Sequence, residues 1–356
     1  MEKLLMGPGP SNLTESVRSA LAQPALGHLD PEFLSILDET CDLLRWIFKT
    51  DNKMTFPVSA TASGGMEAVV MNLVDSTSKV VIGSNGAFSL RAKAMMERQG
   101  AEIVEVNFDW GSPVDLNELN LKIDFAKPDL IWMVHGETST GVLNNIVNID
   151  KGDALLIVDC VTSLGGVNFE MDNWGIDVAV SGSQKCLNVP PGLSPVSFST
   201  RAIERFKASR SWYFDLQMIN DYISTAGPRT YHHTAPINMI YALKASLNDI
   251  KEHGLDETFN RHKIAAEYLY SALGEMGLKP AVESPFRLPQ LTTIFIPKEL
   301  QGIESQIRKD LMDKFNIEIG AGLGIFAGKV WRVGLMGANA TIRNVDTLVN
   351  ALGKLL

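Results

Sequence analysis

Apolar positions along the 356-residue chain follow two patterns. In one they recur every third or fourth residue, the period of a helix face. In the other they form runs of four or five, the length of a buried strand. The first pattern predicts a helix over 31–48, with Leu34, Leu37, Cys41, Leu44 and Phe48 on one side. It returns at Met66, Val69, Val70 and Leu73, in the stretch that ends at Gln99, and over 239–253, 256–274, 303–315 and 345–356. Residues 117–125 fit a short helix or a loop. The second pattern predicts strands at 79–82, 103–106, 130–134, 154–158, 176–180 and 196–199, then at 291–296 and 330–333, with an extended segment at 318–319. From 55 to 200 short strands alternate with helices, the signature of an α/β fold with a mostly parallel sheet. Beyond about residue 250 the pattern changes to that of a smaller α+β unit. The expected organisation is an arm at 1–20, a large domain at 21–250 and a small domain at 251–356.

Composition narrows the classes. Hydrophobic residues make up 45% and the formal net charge is −9, which disfavours nucleic acid or an anionic membrane surface as the main partner. The three cysteines (Cys41, Cys160, Cys186) have neither metal-ligand spacing nor the look of a disulfide framework. No basic-then-apolar leader opens the chain, and runs such as 155–158 are too short to cross a bilayer. The expectation is a soluble, cytoplasmic enzyme or binding protein.

Ligands of open α/β sheets gather beyond the carboxyl ends of the strands. His135, Glu137, Ser139, Asp159 and Lys185 all fall just after predicted strands. Lys185 lies between an apolar run and a Pro-Pro-Gly turn, where its amine can be desolvated and can attack a carbonyl. If it holds an aldehyde cofactor as a Schiff base, the other requirements follow from the chemistry. An anionic tail needs N–H and hydroxyl donors; Thr61, Ala62 and Ser63 open a helix beside Gly64 and Gly65, an anion cradle in form. A ring nitrogen needs a carboxylate such as Asp159 to keep its proton. Phe88 suits the ring face, and Arg332 suits a substrate carboxylate, which its planar fork can grip at both oxygens. Each residue has a plainer use: a cap for Asp159, core packing for Phe88, a structural ion pair for Arg332, helix capping for the glycine-rich start. His135, His232 and His233 lack any metal-binding spacing, and Cys186 has no base at hand to make it a nucleophile.

Nine segments, in order and over nearly the whole chain, carry a family likeness: GPGPSN (7–12), GHLD (27–30), SATASGGMEA (59–68), NGAFSLR (85–91), HGETSTGVL (135–143), IVDCVTSLGG (157–166), SGSQKCLNVPPG (181–192), YHHTAP (231–236) and GKVWRVGLMG (328–337). The chain resembles the class V, fold-type I pyridoxal-phosphate aminotransferases, in particular the alanine–glyoxylate and serine–pyruvate branch. That resemblance implies pyridoxal 5'-phosphate as cofactor, small amino acids and 2-oxo acids as substrates, and a homodimer whose active sites draw on both subunits, the arm packing on the partner. It implies Lys185 as the Schiff-base lysine, Asp159 at the pyridine nitrogen, and Phe88 stacked on the ring. It places Thr61, Ala62, Ser63 and Gln184 on the phosphate side, with Ser139 and Val161 beside the ring. Tyr231 and Thr234 correspond to the pair that reaches the neighbouring subunit's phosphate, Arg332 to the substrate-carboxylate arginine, and Gly9 to the loop closing the pocket. At 61–63 the family commonly has a small residue, glycine, and then histidine or threonine; Ser63 should leave the pocket mouth roomier. The reading is a ping-pong transfer of an amino group from alanine or serine to glyoxylate or pyruvate. Pyridoxamine, ureidoglycine, an aminophosphonate or aspartate as donor, and a lyase reaction, stand as alternatives. A cysteine desulfurase is disfavoured because no cysteine follows Cys186, and a nicotinamide dehydrogenase because no GxGxxG follows a strand. A non-catalytic cofactor-binding protein would have no use for Lys185, Asp159 and Arg332 together.

Overall fold

The computed structural model describes residues 2–224 and 229–356, so part of the aromatic, turn-rich segment expected between 211 and 234 lies outside the described residues. The strands are β1 (Leu4–Met6), β2 (Met54–Val58), β3 (Lys79–Ser84), β4 (Glu102–Asn107), β5 (Leu130–Val134), β6 (Gly136–Glu137), β7 (Val142–Leu143), β8 (Leu155–Asp159), β9 (Val178–Val180), β10 (Ser194–Phe198), β11 (Lys279–Pro280), β12 (Leu291–Phe295), β13 (Ile317–Ala321) and β14 (Val330–Gly334). The helices are α1 (Glu15–Leu21), α2 (Pro31–Phe48), α3 (Ala62–Leu73), α4 (Ala87–Arg98), α5 (Leu116–Ala126), α6 (Thr200–Ile203), α7 (Leu216–Ser224), α8 (Ile237–His253), α9 (Leu255–Glu275), α10 (Glu304–Phe315) and α11 (Ile342–Leu352).

A seven-stranded sheet in the order β2-β10-β9-β8-β5-β3-β4 forms the larger layer. Its strands pair in parallel from β9 through β4, whereas β10 runs antiparallel to both β9 and β2. The central strands are fully buried, which is why they read as unbroken apolar runs and not as alternations. Helix α2 starts at the Asp30 cap, with Pro31 in its first turn, and ends at Lys49 in a left-handed conformation. It buries Phe33, Leu37, Leu44 and Phe48 in the main apolar core.

A second apolar core forms around the five-stranded sheet β1-β13-β14-β12-β11, lined by Leu269, Leu311, Trp331, Val333 and Leu348. The arm contributes to it: β1 pairs in parallel with β13, Leu4 opposite Ile317. The segment expected to rest on a partner subunit is therefore tied, at residues 4–6, into the sheet of its own chain. The last helix sits three residues earlier at its start than the spacing suggested and ends at Leu352, short of the expected 356. Among the described residues no helix is long and apolar enough to cross a membrane.

Candidate active site

The seven-stranded sheet ends at one cavity lined by Ala62, Ser63, Met66, Phe88, Arg91, Val134, Gly136, Thr138, Asp159, Val161, Thr162, Gln184 and Lys185. The carboxyl ends of β5 and β8 and the loop after β9 supply its floor, as the position of a ligand in a parallel sheet requires.

Lys185 is buried, and its ammonium donates to the carbonyl of Pro8 in the arm. Burial, reinforced by the charge on Arg332, lowers its pKa to about 8. A fraction of the amine is then unprotonated near neutrality, as a nucleophile must be. The arm lies so close that a Cβ on Gly9 would come within 2.8 Å of Lys185 Cδ, and Gly9 also has φ +101°; only glycine meets both demands.

Asp159 closes β8 and is buried. Burial and the nearby Glu137 raise its carboxyl to about 7, although the Val161 N–H donates to Oδ1 at 2.9 Å. Among the described residues it forms no ion pair, so a positively charged or N–H-bearing ligand group has an unclaimed carboxylate to meet. Arg332, in the middle of β14, is equally buried and equally without a carboxylate partner among the described residues. Its Nε donates to Ala321 O at 2.7 Å and its Nη1 to Thr138 O at 3.1 Å, which aims the fork and leaves donors free. Burial brings it down to about 10. The structural ion pair that sequence alone left open for Arg332 is not formed among the described residues.

Helix α3 begins at Thr61, whose side chain makes no capping hydrogen bond, and the N–H groups of Ala62, Ser63 and Gly64 find no acceptor among the described residues. Gln184 Oε1 is buried without a partner beside Ala62. An uncapped helix start, an orphaned amide, a buried lysine of lowered pKa and a carboxylate without an ion pair among the described residues, all on one cavity, fit a ring that carries an anionic tail.

Other expected residues stand differently. Ser139 does not line the cavity: its hydroxyl donates to Glu137 Oε1 at 2.6 Å and accepts from the Ala87 N–H at 2.8 Å, fixing the start of α4. Thr61 is exposed at the cavity's edge. Tyr231 and Thr234 are not brought to Lys185. Tyr231 is buried and stacks on Tyr222 at 4.6 Å between ring centroids, while Thr234 is exposed. His232 and His233 contact each other there, far along the chain from His135, which is buried and bonded to Ser163 Oγ.

Two functional-looking residues were not singled out for roles from the sequence. Arg91 stacks over Phe88, 4.6 Å from its ring centroid, and donates to Ser63 Oγ at 2.9 Å. Its place one helical turn after Phe88 in NGAFSLR was the available signal. Glu137, buried, accepts from the N–H groups of Phe88 and Ser89 and from Ser139. Its position after β5 was visible, but its helix-capping partner fifty residues earlier was not.

The family model described as "Aminotransferase class-V" matches residues 13–348. An alanine–glyoxylate aminotransferase of Oryctolagus cuniculus is 40% identical over 99% of this chain and 92% of its own length. The crystal structure of an alanine–glyoxylate aminotransferase from Nostoc sp. superposes with a TM-score of 0.95 at 42% identity, covering 100% of this chain and 95% of that one. That of a ureidoglycine–glyoxylate aminotransferase from Bacillus subtilis reaches 0.96 at 33% identity, covering 100% and 93%. With the family matched over nearly its full length and its fold reproduced, the chain belongs to the class V aminotransferases, which are pyridoxal-phosphate-dependent enzymes.

Proposed function

We propose that this enzyme transfers the amino group of a small amino acid, alanine or serine, to glyoxylate or pyruvate, with pyridoxal 5'-phosphate held at Lys185. The observation that carries the reading is a buried, pKa-lowered lysine and a buried carboxylate on one small cavity, with a buried arginine bonded to the cavity residue Thr138, neither the carboxylate nor the arginine having an ion pair among the described residues. The likeness to two glyoxylate-using aminotransferases supports glyoxylate as the acceptor.

When bound, the cofactor supplies an electron sink that makes a proton on the adjoining carbon of the amino acid labile. The roles of the protein's own groups follow from their placement. The first N–H groups of α3, with Ser63 and Gln184, hold the phosphate. Asp159 would accept from the ring N–H and keep that nitrogen protonated, and Phe88 and Val161 would hold the ring. Arg332 grips the substrate carboxylate in a dry site, where a charge-assisted bond is strong. Lys185 Nζ would be the base that takes this labile proton and then the acid that returns it. The Pro8–Gly9 arm above the lysine excludes water and leaves room for a short side chain only.

Tyr231 and Thr234 serve the site of a second subunit. Their absence from the cavity lining, the exposure of Thr234 and the 64% exposed Trp212 nearby support a homodimer with shared sites. The two apolar cores support a large domain at 21–250 and a small one at 251–356. Three buried, unpaired cysteines suit a reducing compartment such as the cytoplasm.

The test is a half-reaction. Holoenzyme is mixed separately with alanine, serine, glycine, aspartate, ureidoglycine, pyridoxamine and aminoethylphosphonate, and the cofactor's absorbance is followed. Conversion by alanine or serine, reversed by glyoxylate, is the expected result. Conversion by another donor alone moves the substrate assignment, and no conversion by any of them overturns the reading.

A further inference from the structure

The loop that carries Lys185 is bound on its far side by a residue with no part in the chemistry above. Asn188 lies three residues after the lysine, is 5% exposed, and has φ +51°, a left-handed conformation that asparagine tolerates better than most residues. Its own N–H donates to Lys185 O at 3.1 Å. Its side chain joins three segments that are remote in sequence. Nδ2 donates to Ser11 Oγ at 2.8 Å and to Asn12 O at 3.0 Å, and Oδ1 accepts from the Ala338 N–H at 2.8 Å. Ser11 completes the link to the lysine, its Oγ donating to Lys185 O at 2.9 Å and its N–H to Gln184 O at 3.2 Å.

Each of these segments bears on the cavity. The arm around Ser11 carries Pro8, whose carbonyl accepts from the lysine amine, and Gly9, which packs on the lysine stem. The turn around Ala338 follows β14, the strand of Arg332. This turn is fitted to the asparagine: a Cβ on Gly337 would overlap the Asn188 amide, and the Gly337 N–H is held at 2.9 Å by the buried His262. Asn339 repeats the connection, its Nδ2 donating to Leu5 O and Asn12 Oδ1. Every donor and acceptor of the Asn188 amide is directed along this network, as a buried polar group requires.

We infer that Asn188 is a positioning residue for transamination: it fixes the arm and the turn after β14 against the lysine loop, and so holds Lys185 and Arg332 at one spacing across the two sheets. This rests on the roles proposed above for Lys185 and Arg332. The substrate must reach both groups together, so loosening the join weakens capture of the amino acid more than it weakens the fold.

The amide is divided by function, which allows a graded test. In Asn188→Asp the side chain still accepts from Ala338 but no longer donates to Ser11 and Asn12. In Asn188→Gly the backbone conformation is retained and both links are lost. Hydrogen exchange on the cofactor-free proteins should speed up at 7–12 in Asn188→Asp, with 337–340 unchanged, and at both segments in Asn188→Gly. In the holoenzymes, kcat/KM for the best amino donor should fall about 10- to 100-fold, mostly through KM. Ser11→Ala, which cuts only the arm's link, should move KM in the same direction by less, and it serves if either Asn188 variant fails to fold. Variants with lowered melting temperature but kcat and KM within twofold of wild type, or exchange unchanged at 7–12, would overturn the inference. Its failure is separable from that of the functional reading, because wild type and Lys185→Ala report on the latter alone.

Discussion

Two helices begin at the rim of the same cavity, and their first turns are treated in opposite ways. Helix α4 has its opening donors filled from within: Ser139 takes the Ala87 N–H, Glu137 takes those of Phe88 and Ser89, and Leu90 bonds back to Gly86. Helix α3 has an N-cap threonine that does not cap, and three N–H groups without an acceptor among the described residues. A helix start carries a partial positive charge and unpaired donors, so each calls for an anion. The protein provides its own carboxylate to α4 and leaves α3 open, as the phosphate site proposed above requires. The helix that is filled has its first turn fixed by these bonds, and it carries Phe88, proposed above to cover the ring. The helix that is left open becomes a binding site.

This contrast can be broken from either side. The largest effect is expected from Glu137→Ala. It strands two backbone donors and the Ser139 hydroxyl in a buried place, so the protein should lose about 2–3 kcal/mol of stability, measured by urea unfolding. Thr61→Asp attacks the other helix by supplying the missing anion. The cofactor-free protein should gain about 0.5–1 kcal/mol, while affinity for pyridoxal 5'-phosphate falls about tenfold or more in an absorbance titration. One substitution that stabilises the empty protein and weakens the loaded one is the mark of a site kept vacant for a ligand.

Burial, helped by the nearby Glu137, raises the Asp159 carboxyl, and pH makes that visible. In the folded, cofactor-free protein Asp159 holds its proton up to about pH 7, whereas an unfolded aspartate releases it near 3.8. The folded state then binds the extra proton, so stability should fall as pH rises through that window. Asp159→Asn should flatten this fall in melting curves taken from pH 4 to 7. Lys185 acts on the alkaline side: capture of the cofactor needs the free amine, and its rate should rise with pH and level off above about 8. The smallest effect is expected at Arg91, whose positive charge helps to hold the lysine low. Arg91→Gln should slow capture only a few-fold and move its midpoint to higher pH, measured by stopped-flow absorbance.

The sequence revealed these regions unequally, for physical reasons. Helix α2 and strand β5 matched their expected bounds, because each is a long or wholly buried run with a single period. The open start of α3 was legible as small and hydroxyl residues ahead of a helical pattern. The filled start of α4 was not, since Glu137 caps it from a different strand. The antiparallel β10 reads like its parallel neighbours, because burial on both faces leaves no alternation to mark direction. Strand β1 is only three residues long and was not expected in the arm, its partner β13 lying more than three hundred residues away. For the same reason Asn188 passed as one more residue of a turn: its meaning lies in Ser11, Asn12 and Ala338, which no local pattern joins to it.

Lys185→Ala, with the covalent link removed, separates phosphate recognition from chemistry. The variant would be assayed for transamination and titrated with pyridoxal 5'-phosphate and with pyridoxal, which lacks the phosphate. The expected result is no turnover, with the phosphate form still binding about 100-fold more tightly than pyridoxal through the open start of α3. Normal transamination by this variant, or equal binding of the two compounds, would contradict the assignment of the lysine or of the helix.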